Sequence, residues 1–103
     1  MSRDIQQVQR NGARVRLESI LMVFTPGRAE CSRVGLTVSR KVGNAVVRNR
    51  VKRRLRESIR GHLDQIPPGL DIVIIAHPQA SEMTLDGLAS QLQDGWSRIR
   101  KAC

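Results

Sequence analysis

The sequence predicts an α+β fold, and three observations carry that prediction. Val47, Val51, Leu55 and Ile59 recur four residues apart, Val34-Gly35-Leu36-Thr37-Val38 alternates apolar with small or polar residues, and Leu70 to Ala76 is a short β-branched run. The first is a helical period, the second the two-residue period of a half-buried strand, and the third the near-continuous apolar run of a central, buried strand. Together they describe a strand-helix-strand unit whose strands share a sheet and are expected to be parallel. A chain of 103 residues has room for one hydrophobic core, so residues 1–103 are expected to form a single domain.

Along the chain, Ile5 and Val8 lie three apart and predict a short helix over Asp4 to Gln9, stopped by Asn11 and Gly12. Val15 to Phe24 is rich in β-branched and large apolar residues and ends before Pro26-Gly27, which predicts one extended strand or two shorter ones, apolar on both faces beyond Ile20. In the next strand Val34, Leu36 and Val38 share one face, with Gly35, Thr37 and Ser39 on the other. Gly43 and Asn44 break that strand, and Asn44 suits the N-cap of the helix that follows. Ile66-Pro67-Pro68-Gly69 cannot continue a helix. After a cap at Thr84, Leu88, Leu92, Trp96 and Ile99 give a packing helix in which Trp96 belongs to the core. The resulting order, α-β-β-β-α-β-α, is that of an α+β sandwich.

Composition narrows the partner. Eighteen Lys and Arg against nine Asp and Glu give a net charge of +9, which attracts polyanions over a Debye length of about 10 Å. The basic helix lacks the Trp, Phe or Leu face of a membrane-surface helix, so nucleic acid is the expected polyanion and no membrane is expected. No apolar run approaches the roughly 18 to 20 residues of a membrane span, and MSRDIQQVQR has no secretory stretch, which predicts a cytoplasmic protein. Phe24 and Trp96 are the only aromatic residues, which argues against modules that stack bases on aromatic rings and in favour of phosphate contact. Cys31 and Cys103 show neither CxxC nor metal-ligand spacing with a His, so no metal site and no disulfide framework is expected.

Nine of the eighteen cations fall between Arg40 and Arg60, where Glu57 is the one acid, a net charge of +8 in that window. At about 100° per residue the apolar stripe Val47, Val51, Leu55 and Ile59 spans an arc of about 120°. Arg48 and Lys52 flank it, and Asn49, Arg50, Arg53, Arg54, Arg56 and Arg60 lie outside it. Like charges four apart, such as Arg50 with Arg54 and Arg56 with Arg60, destabilise an isolated helix by about 0.2–0.5 kcal/mol per pair. An anion that relieves them is implied. The excess of Arg over Lys suits bidentate contact with phosphate oxygens and stacking on exposed bases. Ser39, Arg40 and Lys41 leave the strand just before this helix, which places a concave basic edge between strand and helix where a single RNA strand fits.

RVGLTVSRKVGNAVVRNRVKRRLRE, Arg33 to Glu57, resembles the signature of the bacterial ribonuclease P protein subunit, whose hallmark is the Arg48-Asn49-Arg50 core. The likeness extends through PPGLDIVIIAHP, Pro67 to Pro78, and more weakly to SRDIQQVQRNG near the start. What the resemblance implies is an endoribonuclease that removes the 5′ leader from precursor tRNA, a ribonucleoprotein in which a much larger catalytic RNA performs the chemistry and no protein side chain is catalytic. Mg²⁺ held mainly by that RNA would activate the attacking water, and the protein would be a monomer in a 1:1 complex with the RNA. By motif position, the resemblance assigns Arg48, Asn49, Arg50, Lys52 and Arg53 to the catalytic RNA, with Arg40, Lys41 and Arg54 as additions. It also implies a leader cleft between the first helix and the sheet, at Ile5, Gln9, Val23 and Ser39. Many relatives carry aromatic residues where this chain has Ile5, Gln9 and Val23, and basic residues often precede their first helix, so weaker leader contacts are expected here. The family's strand-helix-strand crossover is left-handed, whereas the general rule draws it right-handed.

Two other classes remain open on the residues alone. A structural RNA-binding protein, such as a ribosomal protein or an RNA chaperone, fits the composition equally well. A protein nuclease would have to use His62 or His77 with Asp64 or Asp71, and neither His stands at a recognisable catalytic spacing.

Overall fold

Four strands form one mixed sheet in the order β1-β2-β4-β3: β1 (Ala13–Arg16), β2 (Ile20–Pro26), β3 (Arg33–Val38) and β4 (Leu70–Ala76). Among the described residues two helices, α1 (Ala45–Gly61) and α2 (Leu85–Ala102), accompany it, with short 3-10 segments at Arg40–Val42, Leu63–Gln65 and Pro78–Glu82. The structure is a computed structural model and describes residues 12–27 and 30–102. The helix expected over Asp4 to Gln9, with Ile5 and Gln9, lies outside the described residues, as does Cys103.

The segment Val15 to Phe24 belongs to two strands, because the chain reverses at Leu17-Glu18-Ser19, where the Leu17 N–H donates to the Ile20 carbonyl at 2.9 Å. β2 pairs antiparallel with β1 and β4, while β3 pairs parallel with β4. The parallel pair needs a crossover connection, and α1 supplies it. β4 is therefore an interior strand, as its near-continuous apolar run predicts.

Register assigns the two faces. Ile20, Met22 and Phe24 of β2 stand opposite Ala76, Ile74 and Ile72 of β4, which in turn stand opposite Val38, Leu36 and Val34 of β3. This face packs with Val51 and Leu55 of α1 and with Leu88, Leu92, Trp96 and Ile99 of α2 in the main core. The other face carries a smaller cluster, Leu21, Val23 and Val73, with Ile75 against it.

Local chemistry sets where each helix begins. Asn44 caps α1, its side-chain oxygen accepting from the Val47 N–H at 3.0 Å. The residue before it must be glycine: Gly43 has φ 155° and ψ −167°, and an added Cβ would stand 2.8 Å from Val47 Cγ1. Thr84 caps α2 by accepting from the Gly87 N–H at 3.0 Å. Farther along α2, Gly95 permits close approach to the sheet, since a Cβ there would meet Met22 Sδ and, at 3.1 Å, Leu17 Cδ1.

Ser19 is buried, and its hydrogen bonds hold the β1–β2 reversal in place. Its N–H donates to Gln91 Oε1 at 2.8 Å, its hydroxyl oxygen accepts from Gln91 Nε2 at 3.2 Å, and its carbonyl accepts from the His77 N–H at 2.8 Å. One serine thus links the hairpin, α2 and the end of β4 with buried polar groups satisfied.

Truncating Leu55 or Val51 to Ala should lower the unfolding free energy in urea by about 2–4 kcal/mol, the cost of a core cavity; an unchanged midpoint would contradict this burial. Gly43→Ala should destabilise by about 1–3 kcal/mol through its strained φ and the Val47 clash. Both are read from the same denaturation curves.

Candidate nucleic-acid interface

A strict four-residue period drifts about 40° per step on a helix of 3.6 residues per turn. The apolar stripe of α1 therefore winds around the helix: Val51 and Leu55 are fully buried, and Val47 and Ile59 at its ends are half-buried. The surface opposite Val51 and Leu55 carries Asn49, Arg53, Arg56 and Arg60, all exposed. Arg48 and Lys52 lie half-buried on the flank that Ile59 shares, toward β3, where Ile59 lines a groove together with Val34 and Leu36. Arg50 and Arg54, also half-buried, lie on the other flank, toward the Pro78–Glu82 turn. The Arg48-Asn49-Arg50 triplet thus straddles the outward crest, with one arginine on either side of the asparagine.

Charge on this surface is uncompensated. Among the described residues none of the nine cations between Arg40 and Arg60 forms an ion pair; those present, Arg33–Asp71 at 2.8 Å and Arg98–Asp94 at 3.1 Å, lie elsewhere. The first turn of α1 holds no acid, so the positive end of the helix dipole adds to the field. Ser39, Arg40 and Lys41 are exposed on the turn leading into α1, which Val42 anchors by its burial. The Nε atoms of Arg48 and Arg50 are covered and lack an acceptor among the described residues. Such donors are rare, because an unmatched buried hydrogen-bonding group is costly.

The structure gathers Arg40, Lys41, Arg48, Asn49, Arg50, Lys52 and Arg53 along one helix and the turn before it. Arg54 differs from the rest: its Nη1 donates to the Met83 carbonyl at 2.6 Å, so at least one of its nitrogens fastens α1 to the start of α2. Val23 is 0% exposed and belongs to the cluster on the opposite face, so the sheet separates it from α1. In β1, Arg14 and Arg16 stand across from Val23 and Leu21, which places two arginines on that second face. Their alternation with Val15 was the available sequence signal.

Neither histidine forms an acid–base pair with Asp64 or Asp71. His62 lies within hydrogen-bond distance of the Ser58 carbonyl (Nδ1, 3.0 Å) and of Gln93 Nε2 (Nε2, 3.2 Å). Asp71 is held by Arg33 through two bonds of 2.9 and 2.8 Å. Among the described residues no three of His, Cys, Asp and Glu come together as a metal site, and no helix is long and apolar enough to cross a membrane.

The family model described as Ribonuclease P matches residues 1–100 of the chain. The "Ribonuclease P protein component" of Bacillus cereus (strain AH187) is 49% identical over 74 residues, which cover 67% of this chain and 64% of that relative's length. The component of the same name in Brevibacillus brevis is 53% identical over 60 residues, 58% of this chain and 48% of the relative. Among solved structures, the RNase P protein of Thermotoga maritima superposes with a TM-score of 0.87 at 31% identity, covering 94% of this chain and 92% of that one. That of Staphylococcus aureus gives 0.83 at 30% identity, covering 98% and 92%.

Arg54→Ala should lower stability by about 1 kcal/mol through loss of its bond to Met83, whereas Arg53→Ala should leave the melting temperature within experimental error. Equal effects in thermal unfolding would show that the Arg54 bond contributes nothing.

Proposed function

The chain belongs to the Ribonuclease P family, and from that premise we propose that it is the protein subunit of a ribonucleoprotein endonuclease that matures the 5′ end of tRNA. It binds the catalytic RNA through the crest and flanks of α1, with Arg48, Asn49, Arg50, Lys52 and Arg53 as principal contacts and Arg40, Lys41 and the remaining donors of Arg54 beside them. The observation that carries this reading is the cationic surface of α1, which has no ion-pair partner among the described residues. RNA phosphates are the anions that match it, and guanidinium groups engage them two oxygens at a time.

Hydrolysis is assigned to the RNA. The basic face is suited to attracting phosphate and unsuited to holding a divalent cation, and no acidic cluster gathers among the described residues. Mg²⁺ is assigned to RNA ligands as part of the same reading, and no protein side chain is given a catalytic role. The leader of precursor tRNA is assigned to the second face of the sheet, where Arg14 and Arg16 lie on the strand paired with Val23 and Leu21; Ser39 stands exposed at the end of β3. The functional unit is one protein bound to one RNA, working in the cytoplasm.

The deciding experiment is cleavage of a 5′-extended precursor tRNA at low Mg²⁺ by a bacterial ribonuclease P RNA, with and without this protein, beside a protein-only control. Cleavage that needs both components supports the reading. Tight RNA binding with no stimulation would make the chain a structural RNA-binding protein, and cleavage by the protein alone would move the chemistry onto its side chains. Replacing Arg48 and Arg50 by Ala should weaken binding of the catalytic RNA and lower the slope of log K against log salt by about two, roughly one for each phosphate left without its arginine. An unchanged slope would remove both from the interface.

A further inference from the structure

Both aromatic residues of this chain are inside it, Phe24 at 7% and Trp96 at 1% exposure. An RNA base that meets the protein therefore finds no exposed Phe, Tyr or Trp ring to stack on; besides the half-buried imidazoles of His62 and His77 it must use aliphatic surface or the plane of a guanidinium. A concave place among the described residues offers aliphatic surface and guanidinium groups together. Between β3 and the C-terminal half of α1 lies a groove of about 250 Å³, lined by Val34, Leu36 and Ile59 together with Arg56 and Arg60.

The groove follows from the drift of the apolar stripe. By its fourth member the stripe has turned away from the centre of the core, so Ile59 reaches the edge strand instead, where Val34 and Leu36 face it half-buried. Arg56 and Arg60 stand one turn apart beside this floor, exposed and without an acidic partner among the described residues. Arg60 complements the C-terminal end of the helix dipole; Arg56, a turn earlier, is left with no such role. The volume falls below the roughly 300 Å³ at which pockets for larger organic ligands begin, which suits one base with its ribose.

We infer that this groove is a nucleotide subsite: it takes one unpaired nucleotide of the bound RNA, the base against Val34, Leu36 and Ile59 and the phosphate between Arg56 and Arg60. Arg48, Lys52, Arg56 and Arg60, each four residues from the next, make a continuous cationic row from the Arg48-Asn49-Arg50 crest to the groove. At 1.5 Å per residue that row is about 18 Å long. An RNA strand on the crest reaches the groove without leaving positive surface. The site is on the helix side of the sheet, away from Val23 and the second face. The inference rests on the reading of α1 as an RNA-binding helix.

The test follows the methyl resonances of the full chain while single-stranded hexaadenylate is added, with an abasic oligomer of the same length supplying phosphates without bases. Leu36 and Ile59 should shift with hexaadenylate and stay in place with the abasic oligomer. Arg56→Ala/Arg60→Ala should weaken hexaadenylate binding about tenfold, roughly the loss of charge-assisted hydrogen bonds to one phosphate, and should abolish those shifts at the same oligomer concentration. Silent Leu36 and Ile59 methyls, or equal shifts with the abasic oligomer, would overturn the subsite, and both readouts use the wild-type protein. The affinity of Arg48→Ala/Arg50→Ala for ribonuclease P RNA tests the parent reading separately: weakened binding beside a silent groove sinks the subsite alone, and unchanged binding sinks the assignment of α1.

Discussion

Burial of Val51 and Leu55 beneath α1 is the interaction on which the rest of the structure depends. The same helix carries seven Lys and Arg against one Glu, and its charges repel one another along almost its whole length. Each like-charged pair four apart costs about 0.2–0.5 kcal/mol, whereas each fully buried aliphatic side chain contributes roughly 1.5–3 kcal/mol. The apolar stripe therefore outweighs the repulsion, and acids are not needed to hold the helix in shape. Their scarcity leaves the field of the outer surface intact. The Asn44 cap and the Arg54 bond to Met83 add local restraint at the start and on one flank.

The sheet converts one helix position into two separate surfaces. β4 is apolar on both sides, with Ile72, Ile74 and Ala76 facing the helices and Val73 and Ile75 facing away. This lets one layer support the main core and a second cluster at the same time. A substitution on the second face, such as at Val23, is thereby separated from the geometry of the Arg48-Asn49-Arg50 crest by the full thickness of the sheet. The proposed leader path and the proposed catalytic-RNA surface stand on opposite sides of a shared rigid element.

Much of this arrangement was legible in the residues because periodicity reports which face is buried. The strand Val34 to Val38, the interior position of Leu70 to Ala76, the caps at Asn44 and Thr84 and the burial of Trp96 all follow from local pattern. Other features depend on partners remote in sequence. Ser58 lies on the buried side of α1 with its hydroxyl unpartnered among the described residues, and no period marks a serine as a core residue. Arg54 looks like any other arginine of its run until Met83, 29 residues away, supplies an acceptor. The groove at Ile59 needed the placement of β3 beside the end of α1, which a helical wheel cannot contain. The cationic crest was the most legible part of the candidate site, since charge density is written directly in the sequence.

The position of Trp96 has an optical consequence. The chain has one indole and no tyrosine, and that indole is almost wholly shielded from water in the core, on the side of the sheet away from Val23. Its emission is set by the packing of α2 against the sheet, so it changes when that packing is lost. RNA lying along the arginines of α1 touches no fluorophore of the protein. Intrinsic fluorescence is thus a clean gauge of whether the chain is folded and nearly blind to whether it is loaded.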